Sequence, residues 1–178
     1  MAVLPDVVQV AGEVFRPLYG VPGWNVKKGH GSFLTFEFGA PHLHIREPRD
    51  PGEAFSARVR ESLNRRNIFV HGDWHLWIYC CSWVVSMRGQ RIAESESDDS
   101  TIDAAAHQLD GQSLVSVTGN RDKRSWTFVF DLGGMLETWP YGSGWDAATV
   151  QWYLYQPDGM VLSVGADGTY KHELGSDP

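Results

Sequence analysis

The side chains best suited to chemistry in this chain are four histidines. His42 and His44 stand two apart in "HLHIR", and His71 and His75 stand four apart in "HGDWH". On a strand, residues i and i+2 project from the same face. His42 and His44 therefore have a spacing that lets two neutral imidazoles meet one zinc, iron or copper ion. His71 and His75 share a face only if one strand runs through both, and Gly72-Asp73 between them reads as a turn. No cysteine completes the set, because Cys80 and Cys81 are adjacent and adjacent strand residues point to opposite faces. Two readings follow. In one, His42, His44, His71 and His75 build a metal-dependent enzyme or sensor. In the other, preferred because no motif supports the first, they are separate histidines on half-exposed strands.

The stretch around the cysteines, "DWHLWIYCCSW", reads as one central strand. Trp74, Leu76, Ile78 and Cys80 fall on one side; His75, Trp77, Tyr79 and Cys81 fall on the other. Both sides are mostly apolar, and free cysteine packs as a small hydrophobe, so the cysteines are assigned to the core rather than to redox or nucleophilic work. The acidic run "ESESDDS" lacks the glycine and terminal glutamate of a calcium loop and reads as solvated. "GHGS" is not a nucleophile elbow, and no glycine pattern cradles a phosphate. No catalytic constellation emerges, no cofactor is expected, and a non-enzymatic role is preferred. Arg46, Arg49, Arg58, Arg60, Arg65 and Arg66 form a basic segment in an acidic protein. It reads as a solvated connection partly balanced by Asp50, Glu53 and Glu61, or as a patch for an acidic partner.

The elements that must hold these groups follow from periodicity. "SFLTFEFG" sets Phe33, Thr35 and Glu37 against Leu34, Phe36 and Phe38, the pattern of a strand covered on both sides. "HLHIRE" alternates as a half-exposed strand, and residues 48–66 read as a long connection with room for one helical turn. "PDVVQVAGEVFRPLY" opens with a short helix. The principal helix is "STIDAAAHQLDG", with Ser100 as N-cap, Ile102, Ala105, Ala106 and Leu109 as its packing stripe, and Gly111 at its C-terminal end. Strands follow at "QSLVSVTG", "RSWTFVFDL", "MLETWP", "TVQWYLYQ", "MVLSVG" and "TYKHE". "LTFEF" and "WTFVF" form a faint internal repeat. The expected fold is one α+β domain over residues 1–178, predominantly antiparallel sheet with one principal helix at about 100–110.

The 178 residues carry a formal net charge of −7, which argues against nucleic-acid binding, since that needs a basic face. No stretch approaches a membrane span. The first fifteen residues lack the basic start of a signal peptide, and two neighbouring cysteines make no disulfide framework, so a cytoplasmic location is expected. Two segments join aromatic and polar groups in loops: "GWNVKKGHGS", with Trp24, Lys27 and His30, and "TWPYGSGW", with Trp139, Tyr141 and Trp145. They are candidate contacts for another protein, or one shared pocket.

"WNVKKGHGSFLTFEFGAPHLHIREP" and "WYLYQPDGMVLSVGADGTYKHE" resemble a group of uncharacterised bacterial proteins. That group shares the "GSFLTFEFG" hairpin, a "W-L-I-Y-C-W" strand and a "W-LY-PDG-VLS" ending. The resemblance covers most of the chain apart from the arginine-rich connection, and implies no activity. More loosely, the order of strands and helix resembles small immunity-type proteins of bacterial toxin systems. That likeness implies a binding module that blocks a partner protein, and it is architectural.

Overall fold

A computed structural model describes residues 6–50, 52, 55–142 and 149–175. Helix α1 (Val7–Phe15) opens the chain and buries Val10, Ala11 and Phe15. A 3-10 turn at Arg16–Leu18 leads to β1 (Gly23–Lys28), which pairs with β2 (Leu34–Phe38). Next comes an arm made of β3 (His42–Arg46) and β4 (Asn67–His71), with α2 (Ala57–Leu63) in the connection between them. Then follow β5 (Trp74–Ile78), β6 (Ser82–Met87), β7 (Gln90–Glu94) and α3 (Asp99–Leu109). The rest is strand: β8 (Leu114–Asn120), β9 (Ser125–Phe130), β10 (Gly134–Trp139), β11 (Val150–Tyr155), β12 (Met160–Gly165) and β13 (Tyr170–Leu174).

The strands form a six-stranded sheet in the order β1-β2-β5-β11-β12-β13, a five-stranded sheet in the order β7-β6-β10-β9-β8, and the two-stranded arm. All pairings are antiparallel. The two large sheets pack face to face. Phe36 of β2 stacks on Phe130 of β9 at 5.8 Å, and Trp126 of β9 meets Trp152 of β11 edge to face at 5.1 Å. Phe15 from α1 meets both Phe128 and Trp152 edge to face. Helix α1 spans from β8 to β12 on one side of the sandwich, and α3 spans from β1 to β7 on the other. Each helix covers a side where the sheet edges would otherwise expose the core. A fully buried phenylalanine contributes roughly 2–3 kcal/mol of hydrophobic stabilisation, so this aromatic interior holds the sandwich together.

The fold is the α+β, mainly antiparallel domain expected, with five local differences, one of them the edge strand β7, which no sequence pattern marked. The central aromatic stretch is two strands rather than one: β5 ends at Ile78 and β6 starts at Ser82, in different sheets. Tyr79, Cys80 and Cys81 turn the corner, with Cys81 buried and its thiol 3.4 Å from the Gln151 carbonyl. Both cysteines are free thiols, and burial pushes that of Cys81 up. The "GVPGW" turn gives way at Gly23 to β1, an edge strand kinked at Asn25 with φ 51°. The helix cap is Asp98, whose Oδ1 accepts from the Thr101 N–H at 2.9 Å, so α3 begins before Ser100. The long connection contains α2, capped by Ser56. Of the internal repeat, "LTFEF" lies in one sheet and "WTFVF" in the other.

Candidate functional site

The register of the six-stranded sheet decides which side chains share its outer face. Trp24 pairs with Glu37, Glu37 with His75, His75 with Tyr155, Tyr155 with Val161, and Val161 with Glu173. The next row on that face runs Lys27, Thr35, Trp77, Tyr153, Ser163, Lys171. Directly opposed cross-strand side chains are in reach of one another, so a carboxylate and an imidazole face each other in the first row.

The arm then closes over this pair. At its end the backbone of Gly72 passes so close to β2 that a Cβ there would overlap the Phe38 carbonyl. At the start of the arm Gly39 adopts φ 81°, and the Asp73 carboxylate accepts from the Ala40 N–H at 2.8 Å. This tight seam brings His71 over Glu37. Oε1 of Glu37 lies 2.8 Å from Nδ1 of His75 and 3.2 Å from Nδ1 of His71, while Oε2 accepts from the Gly72 N–H at 3.0 Å.

Glu37 is only 1% exposed. An ionised carboxyl in that position has to be fully hydrogen-bonded. Burial pulls its pKa upward, but the hydrogen bond and charge of His75, the Gly72 N–H and His71 prevail, and the carboxyl is held below its ordinary value. An ionised carboxylate only accepts, so both Nδ1 atoms donate, and the Nε2 atoms point away from Glu37. Burial pushes the His71 pKa down against the opposing pull of Glu37, with His75 and His44 adding to the depression. His71 is thereby biased towards the neutral form that a metal requires.

The other two histidines come from β3. His42 pairs with His71 across the arm, and the His44 ring stands 5.8 Å from that of His71, itself 5.5 Å from His75. His42, His44, His71 and His75 all line one pocket of about 280 Å³, closed on its other side by Tyr155 and Gln156 and by the β11–β12 turn. The structure thus gathers the four histidines that the sequence named. Gly72-Asp73 does interrupt the strand, ending β4 at His71 before β5 begins at Trp74, and the same seam delivers His71; Glu37, unassigned from sequence, sits at the centre of the cluster. One ring nitrogen each of His71 and His75 and a carboxylate oxygen of Glu37 lie within 4.8 Å of one another, close enough to hold one metal ion. The signal for Glu37 was a lone carboxylate in the middle of an apolar strand.

The aromatic loop candidates are placed differently. Trp24 is half-buried on edge strand β1, its indole N–H donating to the Gly39 carbonyl at 3.0 Å, and it lines a groove with Ile68, Val70 and His71. His30 is exposed in the β1–β2 turn, 6.5 Å from the Phe33 ring. Trp139 ends β10 in the other sheet and, like Tyr141 beyond it, is exposed. Trp145 lies outside the described residues. No helix among the described residues is long and apolar enough to cross a membrane. No known protein family, curated protein or solved structure matches the chain.

Proposed function

We propose that this protein binds one divalent first-row transition ion through Oε1 of Glu37 and the Nδ1 atoms of His71 and His75, with an open side facing the pocket. The observation that carries the reading is the single buried carboxylate shared by two imidazoles. Two histidines and one carboxylate are a donor set suited to Zn²⁺ or Fe²⁺, and three protein ligands leave coordination positions for an exchangeable ligand. To hold the ion, each imidazole would carry its proton on Nε2 and offer its Nδ1 lone pair. The Gly72 N–H continues to hold Oε2 and fixes the carboxylate's orientation, as an outer-shell partner does. His42 and His44 then face a ligand on the open side, where they act as further donors or exchange protons. An ion held there would supply Lewis acidity to a polar group entering the pocket.

Metal analysis and calorimetry on untagged protein test this. One ion of Zn²⁺, Fe²⁺ or Co²⁺ per chain is expected, with His75→Ala and Glu37→Gln each weakening binding by about tenfold or more. Binding of all three ions weaker than about 1 mM, in protein whose fold is intact by circular dichroism, would overturn it.

A second reading rests on the arm. Its opposite face pairs Leu43 with Val70 and Ile45 with Ile68 across the strands, and all four are exposed, Leu43 at 63%. The arginines of the connection lie beside this apolar ladder in sequence, six against four acids between residues 42 and 71. An acidic partner protein with an apolar contact surface complements both features, in keeping with the immunity-type likeness. Association that weakens steeply with salt, and is lost on Ile45→Asp, is the expected behaviour. Salt-independent binding would count against it. The free thiols support the cytoplasm as the compartment in which the protein works.

A further inference from the structure

The outer face of the six-stranded sheet carries more aromatic surface than a solvent-facing sheet needs. Trp77, Tyr153 and Tyr155 form a row beginning at the histidine pocket, whose wall includes Tyr155. Their rings are 5.8 Å and 6.1 Å apart and tilted from one another by only 35° and 32°. Phe33 and Tyr79 widen the row, 4.6 Å apart, with Tyr79 4.7 Å from Trp77. All five rings are partly exposed. Beside the tyrosines, towards β13, the surface sinks into two shallow grooves of about 270 and 360 Å³, edged by Ser163, Lys171 and Glu173.

From this surface we infer that the outer face binds an uncharged oligosaccharide laid along Trp77, Tyr153 and Tyr155, with one end directed at the histidine pocket. The chemistry selects that class. A row of gently tilted rings offers successive flat faces to the C–H faces of sugar units, while hydroxyls and one charged pair at the edge meet the sugar hydroxyls. The charges on this face nearly cancel, Lys27 and Lys171 against Glu173, within a chain of net charge −7. A polyphosphate backbone therefore finds no basic surface to replace its counterions. An apolar protein partner fits less well, since hydroxyls from Thr35, Ser163 and the tyrosines punctuate the face and Val161 is its one aliphatic side chain among those rows. Leu43, Ile45, Ile68 and Val70 form an exposed aliphatic cluster instead on the far face of the arm, whereas the groove beside the tyrosines has Leu174 alone as an exposed aliphatic at its edge. Tyr153 and Tyr155 remain protonated, burial pushing both phenols up, so each hydroxyl can both donate and accept.

The inference is independent of the metal and is tested on chelator-treated protein. Tryptophan fluorescence and calorimetry are followed with cellohexaose, xylohexaose and chitohexaose, and with a single-stranded oligonucleotide for comparison. At least one hexasaccharide is expected to bind and the oligonucleotide not to. Trp77→Ala and Tyr153→Ala should each weaken binding by roughly tenfold, and Trp77→Phe, which keeps a ring, by less. Ser163→Trp, which fills a groove without removing a ring, should also weaken it and guards against a variant that merely misfolds. Sugar binding is read on metal-free protein and metal binding on sugar-free protein, so the failure of one proposal is distinguishable from that of the other. Absence of binding to all three sugars, tighter binding of the oligonucleotide, or wild-type binding by folded Trp77→Ala and Ser163→Trp would each overturn the inference.

Discussion

Strands β2 and β9 read almost alike, Leu34-Thr35-Phe36-Glu37-Phe38 against Trp126-Thr127-Phe128-Val129-Phe130. Both send their phenylalanines into the shared interior, where Phe36 and Phe130 stack with ring planes 9° apart. They differ on the outward side. Val129 is half-buried between Ser116 and Met135 on the ordinary outer face of the five-stranded sheet. Glu37, at the matching position, is buried beneath the arm with two imidazoles and an amide hydrogen-bonded to it. The inward halves follow one packing rule, and a single outward residue, with the arm that covers it, separates scaffold from site.

The largest expected effect tests the shared half of this comparison. Phe36→Ala and Phe130→Ala each remove one ring of the stack from a fully packed core and should each cost about 3–5 kcal/mol in denaturant unfolding. A loss at one position less than half that at the other would mean that the two strands do not contribute equivalently.

The next test exchanges the outward residues. Glu37→Val gives β2 the side chain of β9 and leaves the Gly72 N–H and two imidazole N–H groups without an acceptor. Each buried donor left unpaired costs roughly 1–3 kcal/mol, and metal binding should be lost. Val129→Glu places a carboxylate on a half-exposed face with no histidine opposite it. It should change stability by less than about 1 kcal/mol and create no metal site. Metal retained by Glu37→Val would move the ligand set to the four histidines alone.

Much of this was legible in the sequence. The alternation in β2 and the stripe of α3 each follow from local pattern, and local pattern held. The histidine spacing on β3 also reported truly on a shared face. The break at Tyr79–Cys81 was hidden because β5 and β6 are both buried, so one apolar run passes from sheet to sheet with no polar interruption. Glu37 could be put on the right face of its strand, but its partners lie 34 and 38 residues away in sequence. The fit of Gly72 against Phe38 is a tertiary contact that no short-range period encodes. The start of α3 was displaced by one choice among neighbouring caps in "SDDST", all chemically suited to the role.

That cap provides the smallest effect and a control for the comparison, since it carries a carboxylate on a different element, α3. Asp98 accepts from the Ser100 hydroxyl at 2.5 Å, and from the Thr101 N–H at 2.9 Å and hydroxyl at 2.8 Å. The Ser100 hydroxyl, followed by the Thr101 amide and hydroxyl, holds its carboxyl down to about 2. An unfolded aspartate titrates near 3.9. Because the folded value is the lower one, the ionised cap's contribution is fully present above about pH 4. It is lost as the pH falls from there through about 2. Asp98→Asn keeps an acceptor oxygen for the helix but removes the charge and its interaction with the helix N-terminus. Thermal melts of the two proteins should therefore differ slightly at neutral pH and converge as the pH approaches 2. Metal affinity at neutral pH should be the same in both, in contrast to Glu37→Val. A gap in melting temperature that stays constant from pH 7 to pH 2 would show that the Asp98 charge does not act through this cap.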